Sequence, residues 1–295
     1  MIEAVVIGRV GVDLYPNEIE TPLSEVRTFT RFVGGFAGNV STGLVRLGVR
    51  TAIVSRVGDD GHGEYVRAYL EREGVDTRFL RVDPDWLTPP TFCEVWPPDR
   101  FPILFYRRPT APDWQLAPED FDAEELAAAP LLYATGTGLA QSPSRETTLA
   151  LLRAHRGTTI FDLDWRPALW PDPAAYPPLA AEALAAADMV VGNEEEVDAA
   201  RAHDARPLVL KRGGAGTTVR VRDGDTDVPV TPVEVVNGLG AGDAFIAAVG
   251  RALLDGAELV DAVRLGSVAG SVVAGRLACS DAMPTLEELR AAASK

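Results

Sequence analysis

The sequence contains only two cysteines and three histidines among 295 residues, and these five do not cluster. Cys93 and Cys279 stand alone, and His62, His155 and His203 are scattered along the chain. Zinc sites and Cys–His catalytic pairs require such residues at short, characteristic spacings or in recognisable combinations. The pattern therefore argues against a zinc site and a cysteine nucleophile, and we expect Cys279 to be a small buried apolar residue.

Long hydrophobic runs are also missing. No stretch reaches the roughly 18 consecutive apolar residues of a membrane-spanning helix. The first three residues carry no positive charge of the kind that opens a secretory signal. We therefore expect a soluble cytoplasmic protein with no membrane partner.

Positive charge is scarce, because 28 Lys and Arg residues face 43 Asp and Glu residues, for a net charge of −15. Such a chain repels nucleic acid backbones and anionic lipid, so neither is an expected partner. If the substrate is itself an anion, its site must be built from a few placed cations, helix N-termini and bound metal.

Two common nucleotide-binding signatures are absent. The sequence has no GxxxxGK[ST] loop, and Gly136-Thr137-Gly138 lacks the third glycine of the dinucleotide fingerprint. We interpret residues 136–138 as a turn at the end of a strand.

The hydrophobic periodicity alternates between short buried strands and amphipathic helices, beginning with a strand at residues 4–7. This alternation predicts an α/β fold in which helices cover both faces of a mostly parallel sheet. Residues 38–47 are predicted to form a helix, and residues 217–222 and 226–230 an antiparallel hairpin joined across residues 223–224. The chain beyond Gly242 is predicted to be helical.

Two segments, approximately 12–32 and 91–107, have strand-like patterns with no helix between the strands. We expect them to form a small β lid within a single domain that spans residues 1–295. Lid strands with exposed apolar faces often pair between subunits, which makes a homodimer through the lid an expectation.

The segment 237–245, NGLGAGDAF, combines small residues with the start of an amphipathic helix. The backbone amides of Gly240, Ala241 and Gly242 would form a phosphate cradle at the positive end of this helix. Asp243 would then accept the proton of an attacking hydroxyl. The alternative is that Asp243 only compensates the helix dipole.

The GAGDAF motif at 240–245 resembles the C-terminal motif of ribokinase-type (PfkB) carbohydrate kinases. Gly34-Gly35 with Asn39 is similar to the N-terminal glycine motif of that family, and residues 193–196 fit its N-x-x-E pattern. The resemblance covers nearly the whole chain. It implies a ribokinase-like three-layer sandwich with a lid, the glycines as an anion hole and Asp243 as the catalytic base.

Residues 7–16 and 278–285 resemble the sugar-acid kinases of this family that serve myo-inositol catabolism, and residues 162–166 fit the Asp-x-Asn/Asp-x-Arg motif of the family. The expected reaction is phosphorylation of the terminal hydroxyl of a small sugar acid, 5-dehydro-2-deoxy-D-gluconate. The alternatives are a 2-dehydro-3-deoxygluconate kinase, a fructose- or ribose-type kinase, and a catalytically silent sugar-binding protein.

The resemblance also implies which residues bind the sugar. Asp13, with the Gly34-Gly35 pair and Asn39, would bind sugar hydroxyls, although Asp13 alone also fits an Asx turn and Asn39 a helix cap. Three further residues would hold the substrate carboxylate, because Arg offers a charge-assisted fork to such a group: Tyr106, Arg107 and Arg166. Taken singly, these arginines would be solvated surface residues.

For the nucleotide side, the resemblance implies ATP and Mg²⁺. Asn193 and Glu196 would hold magnesium-bound water, unless the acidic run only compensates a helix dipole. The other residues implied in nucleotide binding are Lys211 at the phosphates, Gly213 and Gly216 beside the ribose or adenine, and Ser267, Ala269 and Gly270 on a helix wall. Helix packing is the alternative for the last three.

Asn237 departs from the family pattern. Many members have Asp at this position, which is tied to a monovalent-cation site beside the anion hole. The asparagine therefore argues against potassium activation.

Overall fold

The computed structural model describes residues 1–294, which contain two β-sheets and nine α-helices. The strands are β1 (Ala4–Ile7), β2 (Gly11–Pro16), β3 (Phe29–Gly34), β4 (Thr51–Gly58), β5 (Leu80–Asp83), β6 (Pro90–Cys93), β7 (Ile103–Phe105), β8 (Leu131–Thr135), β9 (Thr158–Asp162), β10 (Met189–Asn193), β11 (Leu208–Lys211), β12 (Thr217–Val221) and β13 (Gly224–Val228). The helices are α1 (Phe36–Arg46), α2 (Gly61–Glu73), α3 (Ala123–Ala127), α4 (Ser144–Ala154), α5 (Tyr176–Leu184), α6 (Glu194–Ala200), α7 (Ala241–Leu254), α8 (Leu259–Ala274) and α9 (Leu286–Ala293).

The main sheet has the strand order β13-β12-β11-β10-β9-β8-β1-β4-β5. All neighbouring pairs from β11 to β5 are parallel, and β12 and β13 join as an antiparallel extension. Strand β1 is buried on both faces: Ala4 and Val6 belong to one apolar cluster, whereas Val5 and Ile7 belong to the other. This is the pattern of a parallel sheet covered on both sides, and it confirms the predicted α/β class.

The helices form a layer on each face of the main sheet. Helices α1, α2, α7, α8 and α9 contribute to the cluster that contains Val6, and α3 to α6 contribute to the cluster that contains Val5. Helix α7 presents Phe245 and Val249 to this core and packs against α8 and α1. The burial of such side chains, worth about 1.5 to 3 kcal/mol each, fixes the first turn of α7 above the edge of the sheet.

The second sheet, called here the small sheet, has the strand order β3-β2-β6-β7. Strand β2 pairs antiparallel with β3 and parallel with β6, and β6 pairs antiparallel with β7. Leu104 is 47% exposed and Tyr106 is 57% exposed, so one face of this sheet presents apolar groups to solvent.

Two local predictions need correction. Helix α1 begins directly after the glycine pair, because Gly35 is its N-terminal cap. The hairpin between β12 and β13 turns at residues 222–223 rather than at 223–224, since Gly224 already pairs with Val221. None of the helices in residues 1–294 combines the length and the apolarity needed to cross a membrane.

Candidate active site

Polar side chains line one edge of the main sheet, where five adjacent parallel strands end. Strands β1, β8, β9, β10 and β11 are followed by Arg9, Thr137, Asp164, Glu196 and Lys211, of which Lys211 is the last residue of its strand. Ligands of open α/β sheets bind outside the carboxyl ends of the strands. The row is therefore the floor of a candidate cleft.

Asp164 joins two arginines in the middle of this row. Arg9 Nη1 donates to Asp164 Oδ2 at 3.0 Å and to Thr137 Oγ1 at 2.8 Å. Arg166 Nε lies 3.1 Å from Asp164 Oδ1. Although burial alone would raise the pKa of Asp164, the two guanidinium groups hold it below its ordinary value. One carboxylate thus orients two arginines, and Arg9 has no other carboxylate within salt-bridge distance among residues 1–294.

Lys211 stands at the other end of the row. Its Nζ lies 3.2 Å from Asp162 Oδ2. Burial alone would lower the pKa of Lys211, but Asp162 and Glu196 raise it above its ordinary value. Lys211 is therefore a permanent cation next to the first turn of α7, where a Cβ on Gly242 would lie 3.4 Å from its Nζ.

Asn193 and Glu196 form a reciprocal cap at the start of α6. Asn193 Oδ1 accepts the backbone N–H of Glu196, and Glu196 Oε2 accepts the backbone N–H of Asn193, both at 2.8 Å. Glu196 Oε1 makes no hydrogen bond within residues 1–294, and its nearest cation is Arg166, 3.8 Å away. Both residues thus have a structural role, and one carboxylate oxygen remains for a ligand.

The backbone before α7 has the conformation of an anion cradle. Gly240 has a φ of +81°, and a Cβ at this position would lie 3.0 Å from Cys279 Sγ. Both the backbone conformation and the lack of space therefore favour glycine here. Among residues 1–294, the N–H groups of Gly240, Gly242 and Asp243 have no acceptor, and that of Ala241 has only Gly238 O at 3.4 Å. Such free amides at a helix start bind anions.

Asp243 lies in the first turn of α7, and its carboxylate accepts a 2.7 Å hydrogen bond from Asn39 Nδ2. Burial raises the pKa of Asp243 to about 7, with Asp164 and Asp162 adding to the rise, while Asn39 and Lys211 oppose it. A carboxyl group with this pKa exchanges protons near neutral pH, as a general base requires.

Asp13 and Gly34 are in contact where β2 and β3 pair, directly before α1. A Cβ on Gly34 would lie 2.1 to 2.2 Å from the Asp13 carboxyl atoms, so only glycine allows Asp13 its position. Burial raises the pKa of Asp13 to about 6, although Arg9 lowers it. Ser280 holds Asn39 in place, because its Oγ donates a hydrogen bond to Asn39 Oδ1 at 2.7 Å.

The sequence interpretation expected Arg107 and Tyr106 to hold a substrate carboxylate, but the structure commits Arg107 to a buried ion pair near Arg9 and leaves Tyr106 on the exposed face of the small sheet. The Arg107 side chain is 2% exposed, donates to Asp113 and lies 4.6 Å from the ring of Trp114. Tyr106 is 57% exposed and packs on Phe92 of the small sheet. Of the three residues predicted to hold a carboxylate, only Arg166 lies in the row of polar groups.

The glycines after β11 and the small residues of α8 differ in accessibility. A Cβ on Gly213 would meet nothing within 4 Å, and Gly216 has a φ of +89°. In α8, Ala269 is 0% exposed within the core, and Ser267 Oγ accepts the N–H of Thr231 at 3.1 Å.

Gly270 lets α8 approach the start of α7, because a Cβ there would lie 3.1 Å from Ala241 O. Full burial removes Ala269 from any ligand surface. Helix packing, the alternative considered above, therefore accounts for Ala269 and Gly270.

Asn237 is fully buried and fixes the loop before α7. Its Nδ2 donates to Leu277 O at 2.6 Å, and its Oδ1 accepts the N–H of Leu239 at 3.1 Å. Both ends of the amide are thus used to hold backbone.

The sequence interpretation missed three residues of the site: Arg9, Thr137 and Ser280. Their positions carried a signal, since Arg9 follows the first strand and Thr137 follows β8 at the same sheet edge. The turn at Gly136–Leu139 is a single 3₁₀ turn, as predicted for a strand end, and it also delivers Thr137 to Asp164.

Known proteins resemble this chain over nearly its whole length. Residues 1–286 match the model of the pfkB family carbohydrate kinases. The chain is 35% identical to a 5-dehydro-2-deoxygluconokinase of Geobacillus thermodenitrificans, over 98% of this chain and 92% of that one. It is 34% identical to 5-dehydro-2-deoxygluconokinase 1 of Bacillus cereus, over 98% and 94% of the two chains.

Solved structures show the same fold. An uncharacterized sugar kinase from Pyrococcus horikoshii in complex with ATP superposes with a TM-score of 0.88 at 26% identity, over 99% of each chain. A fructokinase from Xylella fastidiosa with bound ATP superposes with a TM-score of 0.86 at 23% identity, over 100% of this chain and 99% of that one. The expected ribokinase-like fold is thereby confirmed.

Proposed function

Because the chain belongs to the pfkB family of carbohydrate kinases, we propose that it transfers the γ-phosphoryl group of ATP to the terminal hydroxyl of 5-dehydro-2-deoxy-D-gluconate. The substrate is proposed from the names of relatives that are 34 to 35% identical over 98% of the chain. The structural observation that carries the proposal is Asp243, a carboxylate with a pKa of about 7 beside the unpaired amides of Gly240 and Gly242.

In the proposed reaction, Asp243 takes the proton of the substrate hydroxyl while the hydroxyl oxygen bonds to the γ-phosphorus. The bond between the γ-phosphorus and its bridging oxygen breaks, and ADP leaves with the electron pair. The free amides of Gly240, Gly242 and Asp243 face the charge on the transferring group, where fixed dipoles stabilise a transition state. Lys211 supplies a side-chain cation close to Gly242.

The substrate hydroxyls are assigned to Asp13 and Asn39. Asp13 is buried against Gly34, and Asn39 binds the catalytic carboxylate directly. Contact with both residues would place a sugar hydroxyl beside Asp243, and such positioning is a large part of catalysis in phosphoryl transfer.

The donor set at the start of α6 fits magnesium held through water. Mg²⁺ prefers oxygen ligands and keeps several of its waters, and Glu196 Oε1 is an uncommitted carboxylate oxygen. Asn193 and Glu196 are the residues we assign to it. When bound, magnesium would neutralise part of the charge of the ATP phosphates. We assign no potassium site, since Asn237 uses its amide to hold backbone.

A coupled assay of ADP release tests the proposal, with ATP, magnesium and a panel of sugars. The panel contains 5-dehydro-2-deoxy-D-gluconate, 2-dehydro-3-deoxy-D-gluconate, D-fructose and D-ribose. We expect the highest kcat/KM for the first acid. A higher value for the second acid would redirect the assignment within the family, and higher values for fructose or ribose would refute a sugar-acid kinase. No ADP release with any sugar would indicate a silent sugar-binding protein.

The cellular location and the oligomeric state of the enzyme are proposed from different features. We propose that the enzyme acts in the cytoplasm, because the proposed reaction consumes ATP and its substrate belongs to myo-inositol catabolism. The exposed face of the small sheet, with Leu104 and Tyr106, would pair two copies. Light scattering should give the mass of a dimer, and Leu104→Glu should shift it to that of a monomer.

A further inference from the structure

We propose that Arg9 is the residue that recognises the carboxylate of the sugar acid and thereby sets the preference for acids over neutral sugars. This inference rests on the proposed function. It concerns a residue that the motifs do not assign, and it replaces Arg107 in that role.

Arg107 is not available to a substrate carboxylate. The side chain of Arg107 is 2% exposed, and its charge is already matched by Asp113, whose second oxygen accepts the backbone N–H of Val10 at 3.0 Å. A substrate carboxylate would have to displace Asp113 from a buried pair, and an uncompensated buried charge is strongly unfavourable. Arg107 is therefore a structural residue.

The cations of the polar row lie on two sides of Asp164. Arg166 follows β9 and is the arginine that approaches Glu196, at 3.8 Å. Lys211 ends β11 and lies next to Gly242 of the anion cradle. Both cations are thus on the phosphate side of Asp164. Arg9 follows β1, on the opposite side of Asp164.

Arg9 lies on the side of the cleft that contains Asp13. The backbone of Arg9 lies against the glycine pair that contacts Asp13, because Arg9 O accepts the N–H of Ala37 at 2.9 Å and a Cβ on Gly35 would lie 2.6 Å from Arg9 O. The substrate has its carboxylate at one end of a six-carbon chain and the terminal hydroxyl at the other. When Asp243 holds the hydroxyl, a carboxylate lies away from the phosphates, towards Arg9.

The guanidinium group of Arg9 has unused donors. Arg9 uses only Nη1 in hydrogen bonds, to Asp164 and Thr137, so Nε and Nη2 have no acceptor among residues 1–294. The side chain is 13% exposed, and its Cζ lies 5.7 Å from the ring centroid of Phe105. Arg9 is therefore oriented from behind by one nitrogen while two donors remain for a ligand.

The charge balance supports the same role. Asp164 is the one carboxylate within salt-bridge distance of Arg9 among residues 1–294, and Arg9 shares it with Arg166, so the charge of Arg9 is only partly compensated. A substrate carboxylate neutralises this charge through charge-assisted hydrogen bonds, which a neutral sugar does not make. In a chain of net charge −15, a partly compensated arginine at this position would favour the binding of an anionic sugar.

The test compares Arg9→Met and Arg9→Lys with the wild-type enzyme on 5-dehydro-2-deoxy-D-gluconate and D-fructose. For Arg9→Met we expect kcat/KM for the acid to fall roughly 10- to 100-fold, mainly through KM, with a much smaller change for fructose. Arg9→Lys should recover part of the loss, because it restores the charge but not the planar fork. Arg107→Met is the matched control and should lower the Tm while keeping the ratio between acid and fructose.

If fructose is not a substrate, Kd values measured by calorimetry replace the kinetic comparison. Arg9→Met should weaken binding of the acid at least tenfold and leave binding of a non-hydrolysable ATP analogue within about twofold. An equal loss of affinity for the acid and the ATP analogue, or of kcat/KM for both sugars, would mean that Arg9 only positions Asp164. A changed ratio between acid and fructose in Arg107→Met would mean that Arg107, the residue predicted from the motifs, recognises the acid. Either result overturns the inference.

Failure of the inference and failure of the proposed function give different results. If the wild-type enzyme prefers fructose, the proposed substrate is wrong. If it prefers the acid and Arg9→Met keeps that preference, only the role of Arg9 is wrong.

Discussion

The side-chain amide of Asn39 donates a 2.7 Å hydrogen bond to the carboxylate of Asp243, although 204 positions separate the two residues. Asn39 lies near the start of α1, and Asp243 lies in the first turn of α7. Ser280 completes the arrangement by hydrogen bonding to Asn39 Oδ1. The bond joins the residue assigned to the sugar with the residue assigned to proton transfer.

The role of Asp243 as a base predicts the effect of Asp243→Asn. The amide has nearly the same shape but accepts no proton, so kcat should fall by roughly 10² to 10⁴, the usual contribution of a positioned base. Single-turnover rates with saturating ATP and sugar measure the effect. Wild-type turnover in this variant would exclude the role.

The raised pKa of Asp243 predicts the pH dependence of the rate. The base must be ionised to accept a proton, and its pKa is about 7. We therefore expect kcat/KM to rise with pH up to about 7 and then to level off. A profile that is already flat between pH 5 and pH 8 would contradict this assignment.

The same group predicts an opposite trend in stability. The pKa of Asp243 is about 7 in the folded chain, against an ordinary value of 3.8, so the folded state binds more protons between these values. Its contribution to stability is complete at low pH and is lost as the pH rises to about 7, by at most ~1.4 kcal/mol per pH unit. The Tm of Asp243→Asn relative to wild type should therefore increase from pH 5 to pH 8. A difference that does not change with pH would contradict the burial of this charge.

The contact between Gly34 and Asp13 predicts a selective effect of Gly34→Ala. The added Cβ would lie 2.1 to 2.2 Å from the Asp13 carboxyl, which must move. We expect KM for the sugar to rise about tenfold or more, since a displaced carboxylate loses its charge-assisted hydrogen bonds, with little change in KM for ATP. Gly61→Ala is the matched control, because a Cβ there meets nothing within 4 Å. Equal kinetics in both variants would argue against sugar binding by Asp13.

The hydrogen bonds of Asn237 predict the response to monovalent cations. Both ends of its amide hold backbone, at Leu277 O and Leu239 N. We expect the same kcat in KCl and NaCl at matched ionic strength. Asn237→Asp should lower the Tm, because it replaces a donor with a charge facing a carbonyl. Strong activation by KCl in the wild type would refute this interpretation.

Much of the fold followed from local patterns. The strand at Ala4–Ile7, the hairpin after Lys211 and the helices beyond Gly242 were predicted because burial on both sheet faces and helical periodicity leave a clear signal in the residue order. The boundaries were less certain: α1 begins two residues earlier than the periodicity suggested, because Gly35 caps it. The glycine motif before α7 was visible because its small residues are themselves the reason that the backbone is open to a ligand.

The assignment of the arginines was decided by the tertiary structure. Arg107 follows a strand of the small sheet and Arg9 follows a strand of the main sheet, and nothing near either residue in the chain tells which carboxylate it meets. Sheet pairing and side-chain direction bury Arg107 against Asp113 and set Arg9 beside Asp164.

The sequence by itself therefore determined the family, the order of the elements and the glycine loop with its aspartate, because these depend on periodicity and on small residues at fixed spacings. Only the tertiary structure decided that Asp243 has a pKa near neutrality and that Arg9 has two free donors. Burial, charge pairing and hydrogen bonds over long separations are properties of the packed chain, since they arise between residues that the sequence keeps far apart.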